Sequence, residues 1–243
     1  MQPLKVLSGF VALLLPLGCG GSGGSAPSPP PTSAPPAVER IFDFSQGNGG
    51  WLSGFADYQP NTAPVDVIAD IRTLPAGLAG SAYYLAGTNR SDDLFIYVKT
   101  RLGSLVPGVT YRVRATVDVL TDVPAGCIGV GGAPGESVWI VVAASAVEPQ
   151  TIFTGTDYRV NIDRGNQSQS GPAGLVLGNI ANSVPDCGNR RWESKSLSIP
   201  ASATLTVRAD DRGEAWLLVG MDSGFESFSR IYLQRLVVRL EAV

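Results

Sequence analysis

The chain of 243 residues contains no histidine. That absence removes Ser-His-Asp and Cys-His nucleophile sites, a histidine general base and the zinc sites that depend on imidazole ligands. Charge is scarce as well: Asp, Glu, Lys and Arg make up 16% of positions and sum to a net −3. There is then no basic field to hold a phosphate backbone, which argues against a nucleic-acid partner. Long apolar runs are missing too. Val6 to Leu17, broken by Gly9 and Pro16, is too short to span a bilayer as a helix. Any chemistry must come from carboxylates, Arg, Lys, Tyr, hydroxyls or a bound metal.

What the N-terminus does have is the layout of an export signal over residues 1–18: a cation at Lys5, the short apolar run, then small residues before Cys19. The segment Leu15-Pro16-Leu17-Gly18-Cys19 resembles a bacterial lipobox, which implies lipidation of Cys19 and an anchor in the cell envelope, at the periplasmic face or the cell surface. Residues 19–38 then form a tether. From Gly20 onward they read GGSGGSAPSPPPTSAPPAV, with no charge and no aromatic, and cannot bury enough apolar surface to fold. Cys127 and Cys187 remain. Two cysteines in an exported domain are read most simply as one disulfide, closing a loop of about 60 residues and contributing roughly 4 kcal/mol on chain-entropy arithmetic.

Residues 39–243 are expected to form a single domain of all-β class, an antiparallel sandwich or jelly roll with little helix. In Thr110 to Leu120 the apolar residues Tyr111, Val113, Ala115, Val117 and Val119 alternate with polar ones, the pattern of a strand with one wet face. Ten further segments read as strands: 40–44, 65–72, 82–86, 94–102, 138–144, 158–163, 175–180, 203–208, 215–220 and 230–241, separated by Gly, Pro, Asn and Asp. At Gln234-Arg235 the apolar set changes phase, so a bulge is expected there.

Three segments carry a resemblance. Ile41-Phe42-Asp43-Phe44 followed by Gly49-Gly50-Trp51, then Leu105 to Val113 with its Pro107-Gly108 and Tyr111, then Gly220 to Gly224 with Ile231-Tyr232-Leu233, are similar to the opening, middle and closing strands of the galactose-binding-like carbohydrate-binding modules. The resemblance implies a jelly roll and a carbohydrate or other polar ligand. Those modules usually carry Asp after the closing Tyr-hydrophobic pair. Gln234-Arg235 stand there instead, which weakens any transfer of their structural calcium. Segments around Asp92, Glu136, Asp163 and Asp222 also resemble a group of bacterial lipoproteins without an assigned activity.

No phosphate-loop or GxSxG signature survives inspection. Gly126 to Gly135 lacks the following Lys-Ser/Thr, and Pro134 breaks its glycine frame. Acids at strand ends are the remaining resource: Asp92, Asp93, Glu136 and Asp163, with Asn166 in an amide-rich segment, are expected to contact ligand, and Trp51 and Trp192 to offer exposed platforms for a sugar ring. Trp139 and Trp216, in apolar strands, are expected in the core. Asp222 and Glu226 bracket a Gly-containing loop and are the candidate ligands for a hard cation such as calcium; no other cofactor is implied. This inventory points to a non-catalytic, lipid-anchored, glycan-binding module. A carboxylate-dependent glycan hydrolase or lyase built on Asp92, Asp93, Glu136 and Asp163 is the second reading. A structural envelope lipoprotein that meets a protein partner is the third.

Overall fold

The period-two spacing of apolar residues is realised as strands distributed through residues 34–243, the part of the chain that the computed structural model describes. The expected export signal, Cys19 and the tether up to residue 33 lie outside the described residues. In chain order the strands are β1 (Val38–Asp43), β2 (Leu52–Ala56), β3 (Val65–Thr73), β4 (Ser81–Thr88), β5 (Leu94–Leu102), β6 (Thr110–Thr121), β7 (Val138–Ser145) and β8 (Thr151–Phe153). There follow β9 (Tyr158–Val160), β10 (Gly165–Asn166), β11 (Gln169–Ser170), β12 (Gly174–Asn179), β13 (Glu193–Ser198), β14 (Leu205–Arg208), β15 (Ala215–Ser223) and β16 (Phe228–Ala242). Helix among the described residues is confined to two 3-10 turns, Phe44–Gln46 and Pro60–Thr62.

Two antiparallel sheets face each other, so the fold is a β-sandwich. One is seven-stranded, in the order β13-β6-β16-β4-β3, with β14 also paired to β6 and β1 to β16. The other is five-stranded, β12-β7-β15-β5-β2. Strand β16 has β6 along one side. Its other side is shared, β4 meeting residues up to Leu233 and β1 meeting residues from Arg235. The register shift between Leu233 and Arg235 lies at this handover, where the sequence changes phase.

Alternation sends one face of each sheet inward. Leu85, Val113, Val117, Leu233 and Leu236 from the larger sheet meet Ile96, Ile140, Val142, Leu217 and Val219 from the smaller, all buried. Burial of each such side chain contributes about 1.5–3 kcal/mol, so the inter-sheet layer supplies most of the driving force. Tyr111 is buried beside them and its hydroxyl accepts the Val106 backbone N–H at 2.9 Å, tying the Pro107-Gly108 turn to the core. Cys127 and Cys187 form the expected disulfide.

Strands β2, β8, β10, β11 and β13 are additions to the sequence reading. In β13, Glu-Ser-Lys-Ser-Leu-Ser has only Leu197 to show a buried face, and pairing with β6 rather than hydrophobic pattern fixes it.

Candidate functional site

The chemistry gathers on the outer face of the five-stranded sheet. Because Ile96, Val98, Val219 and Met221 point into the sandwich, Phe95, Tyr97 and Lys99 of β5 and Gly220 and Asp222 of β15 must point out of it. Two glycines make room for the rings. A Cβ on Gly220 would stand 2.6 Å from Phe95, and one on Gly54 2.5 Å from Tyr97. The chain between β7 and β12 folds back over this face, with Val160 and Ile162 packed on Phe95, Tyr97, Val141 and Leu218.

Arg164 fastens that strap. It is 3% exposed, its guanidinium lies 3.6 Å from the centre of the Phe95 ring, and Nη1 donates to Asp222 Oδ2 at 2.5 Å while Nη2 donates to Asp57 Oδ2. The Gln167 backbone N–H reaches the same Asp222 oxygen at 2.7 Å. At the rim Arg159 bridges Asp57 Oδ1 at 3.3 Å and Asp93 Oδ2 at 3.0 Å. Asp57, left-handed at φ 66°, is held by its own N–H, which donates to Tyr158 O at 2.6 Å.

Three carboxylates against two guanidiniums leave one negative charge over. One oxygen from each of Asp57, Asp93 and Asp222 lies within 4.8 Å of the others, and Oδ1 of both Asp93 and Asp222 is buried without a hydrogen-bond donor. Burial, then the neighbouring Asp222 and Asp57 charges, push Asp93 up to about 8; burial likewise raises Asp222. At neutral pH the cluster therefore holds a proton. A hard cation would find oxygen ligands here, but Arg164 already supplies positive charge to two of the three carboxylates.

The folded state binds a proton on Asp93 that the unfolded chain releases near pH 4, so stability falls as pH rises from there to about 8 and levels off above it. The midpoint of thermal unfolding is expected to fall steadily as pH is raised from 5 to about 8, with a stability slope that approaches one proton, about 1.4 kcal/mol per pH unit. Asp93→Asn, which mimics the protonated form, should flatten that slope in a pH series of melting curves. An unchanged slope would place the proton elsewhere.

Beside the cluster lies an open groove of ≈ 420 Å³. Tyr97 and Gly54 form its floor. One wall is a run of aromatic rings: Phe55 stacks on Tyr58 at 5.4 Å and Tyr58 on Tyr158 at 4.8 Å, with Phe153 behind, outside the groove lining, tilted against Tyr158 at 5.1 Å. The other side is polar. Tyr97 and Thr151 share a hydroxyl–hydroxyl bond of 3.0 Å, Gln150 stands beside them, and Lys99 Nζ donates to Glu148 and to Pro149 O, both at 2.6 Å.

The residues expected from sequence to bind ligand do not converge. Asp93 enters the cluster, but its neighbour Asp92 is exposed, left-handed at φ 69°, and contributes only its carbonyl, which accepts from Gln167. Asp163 is exposed and caps the Gly165 N–H; it borders a small cavity of ≈ 140 Å³ with Asp57, Arg159 and Arg164. Asn166 is exposed in the β10–β11 hairpin. Glu136 is remote in function: it accepts the Gly126 N–H at 2.6 Å beside the disulfide.

The tryptophans also depart from expectation. Trp51 is not an exposed platform: it is 3% exposed between Phe42 and Phe44, because the turn before β2 feeds it into the core. Trp192 is half-buried on the outer face of the other sheet, edge-on to Tyr232 and under Arg230. Trp139 and Trp216 take the outward phase of β7 and β15 and are half-buried rather than core, Trp216 lying 5.5 Å below Lys99 Nζ. As cation ligands Asp222 and Glu226 do not pair, since Asp222 is fully buried on Arg164 while Glu226 is exposed over Gly131.

Asp57, Arg159, Phe55 and Tyr158 escape a sequence reading, as does the meeting of Arg164 with Asp222. One signal was available: Asp222 sits inside the apolar strand AWLLVGMDS, and a buried carboxylate requires a cationic partner.

No family model and no curated protein matches the chain. Solved structures that it is similar to include a carbohydrate-binding module from the β-sandwich superfamily, 15% identical over 79% of this chain and 58% of that one, with a TM-score of 0.38. Another is the family 11 carbohydrate-binding module from Clostridium thermocellum, solved with a β-1,3-1,4-mixed-linked tetrasaccharide: 12% identity over 84% of this chain and 95% of that one, TM-score 0.38. A third is the K3 cleaved adhesin domain of Lys-gingipain from Porphyromonas gingivalis, at 14%, 83%, 98% and 0.40 respectively. Matches at this level assign neither a family nor a ligand.

Proposed function

We propose that the domain is a non-catalytic glycan-binding module, and that the glycan lies in the groove between the Phe55–Tyr58–Tyr158 stack and the Tyr97, Thr151 and Gln150 side chains. The observation that carries this reading is the pairing of a ring-lined wall with a row of hydroxyl and amide groups. A pyranose presents the complementary surfaces, C–H groups on its faces and hydroxyls around its edge. The nearby acids Asp57, Asp93 and Asp222 are tied to Arg159 and Arg164, and Glu136 is engaged by the Gly126 N–H beside the disulfide, which favours holding a glycan over cleaving it.

Tyr158→Ala should weaken glycan binding about 10–100-fold, the loss of roughly 1.5–3 kcal/mol of aromatic contact. Titration calorimetry against hits from a glycan array measures it, with near-UV circular dichroism confirming the fold. Cleavage of any array glycan by the wild type would replace the reading with the hydrolase. An array without hits, alongside a protein partner recovered from envelope extracts, would replace it with the structural lipoprotein.

The same proposal places the domain at the cell envelope, tethered by lipid on Cys19 through residues 20–38. Mass spectrometry of the mature N-terminus, with and without Cys19→Ser, tests the anchor.

A further inference from the structure

A second cavity, sharing no lining residue with the groove, opens between the end of β1 and the turn that leads to β2. It measures ≈ 280 Å³ and is walled by Ile41, Phe42, Phe44 and Trp51, with the Gln46 and Asn48 amides around it. The turn is built for this shape. Asn48 accepts the Trp51 N–H on its carbonyl at 2.9 Å and the Gly50 N–H on its side chain at 3.1 Å, and Gly49 and Gly50 take the left-handed backbone at φ 55° and 79°.

Trp51 gives the cavity its chemistry. Its ring meets Phe42 and Phe44 edge-to-face, at 5.0 and 5.5 Å, and its only polar atom, Nε1, is buried without an acceptor. The adjoining Cδ1 lies 3.7 Å from where a Gly49 Cβ would stand, so the N–H edge of the indole turns toward the loop that walls the cavity. A buried donor left unpaired is a standing free-energy cost, and one acceptor oxygen removes it.

We propose that this cavity is a small-molecule site. It takes a single ring, apolar over its faces, that carries one acceptor oxygen to the Trp51 Nε1–H. The volume suits one six-membered ring, and the aromatic walls favour a ring with few hydroxyls. The Gly47–Gly50 loop, which covers the indole edge, has to shift slightly for the oxygen to reach it. The site stands independently of the glycan groove, and the loss of either leaves the other intact.

Cyclohexanone and methylenecyclohexane form a matched pair of probes, alike in shape and differing in the acceptor. Each is titrated into the exported, oxidised protein while the Trp51 indole proton–nitrogen cross-peak, assigned through Trp51→Phe, is followed by NMR. The expected result is a saturable shift of that cross-peak with cyclohexanone, at least fivefold tighter than with methylenecyclohexane, while the Trp139, Trp192 and Trp216 cross-peaks stay in place. Ile41→Trp, at an exposed rim position, should fill the mouth and abolish the response without disturbing the fold. Equal affinity for the two probes, no saturable shift, an indole proton moved upfield over the Phe42 ring and indifferent to both, or binding that survives Ile41→Trp would each overturn the proposal.

Discussion

Replacing Arg164 by methionine is expected to remove about 3–5 kcal/mol of stability, the range for breaking a buried ion pair from one side. Asp222 is fully buried, one of its oxygens already lacks a donor, and without the guanidinium it keeps only the Gln167 N–H. Asp57 retains Arg159 alone. Urea unfolding measures the loss, and hydrogen exchange should show residues 150–170 opening well before the sheets. Arg164→Lys should rescue little, because one ammonium cannot span two carboxylates while lying flat on Phe95. A double replacement of Arg164 and Asp222 by leucine should recover much of the stability, since the cost of the single variant is an orphaned charge. Failure of the double variant to exceed Arg164→Met would mean that the strap depends on the charge pair itself. Glycan affinity should fall with the single variant as well, because Gln150, Thr151 and Tyr158 belong to the strap that Arg164 holds down.

The second large effect is expected from the disulfide. Cys127→Ser with Cys187→Ser releases a loop of 60 residues, which chain-entropy arithmetic values at roughly 4 kcal/mol, or about 10 °C in Tm for a domain of this size. The folded structure around it should persist. Ala125 N–H donates to Val184 O at 2.9 Å and Asn182 N–H to Val123 O at 2.8 Å, so the two segments remain paired without the bond. Calorimetry on the double serine variant, beside the wild type, reads the loss. An unchanged Tm would show that the unfolded chain is already constrained there. The disulfide loop contains β7 to β12 and hence Arg164, so combining Cys127→Ser/Cys187→Ser with Arg164→Met should give a loss different from the sum of the two.

How much of this could be read from the residues follows from the range of the interactions. Alternation is local, so β6, β5 and β15 were legible to within a few residues, and the phase change at Gln234 located a bulge whose purpose appeared only with the β4-to-β1 handover. The disulfide followed from Cys127 and Cys187 being the two of the three cysteines that fall within residues 39–243. The site was another matter. Asp92 and Asp93 are neighbours in sequence, yet one turns to solvent and the other into the cluster, because a left-handed residue precedes the strand. Arg164 meets Asp57 and Asp222 across 107 and 58 positions, and no spacing rule encodes such a meeting. The tryptophans depart from expectation in both directions. Flanking residue type says how apolar a segment is, whereas strand phase turns Trp139 and Trp216 outward and the turn before β2 carries Trp51 into the core.

The position of β16 bears on how the chain comes to be folded at all. The last strand is central to the seven-stranded sheet, touching β6, β4 and β1, so the first and last strands lie side by side. Any process that delivers the polypeptide from the N-terminus, a ribosome or a secretion pore, presents β1 through β15 while the seat for β1 does not yet exist. The sandwich can close only once residues 228–242 have emerged. Until then the larger sheet lacks the strand that joins β6 to β4 and β1.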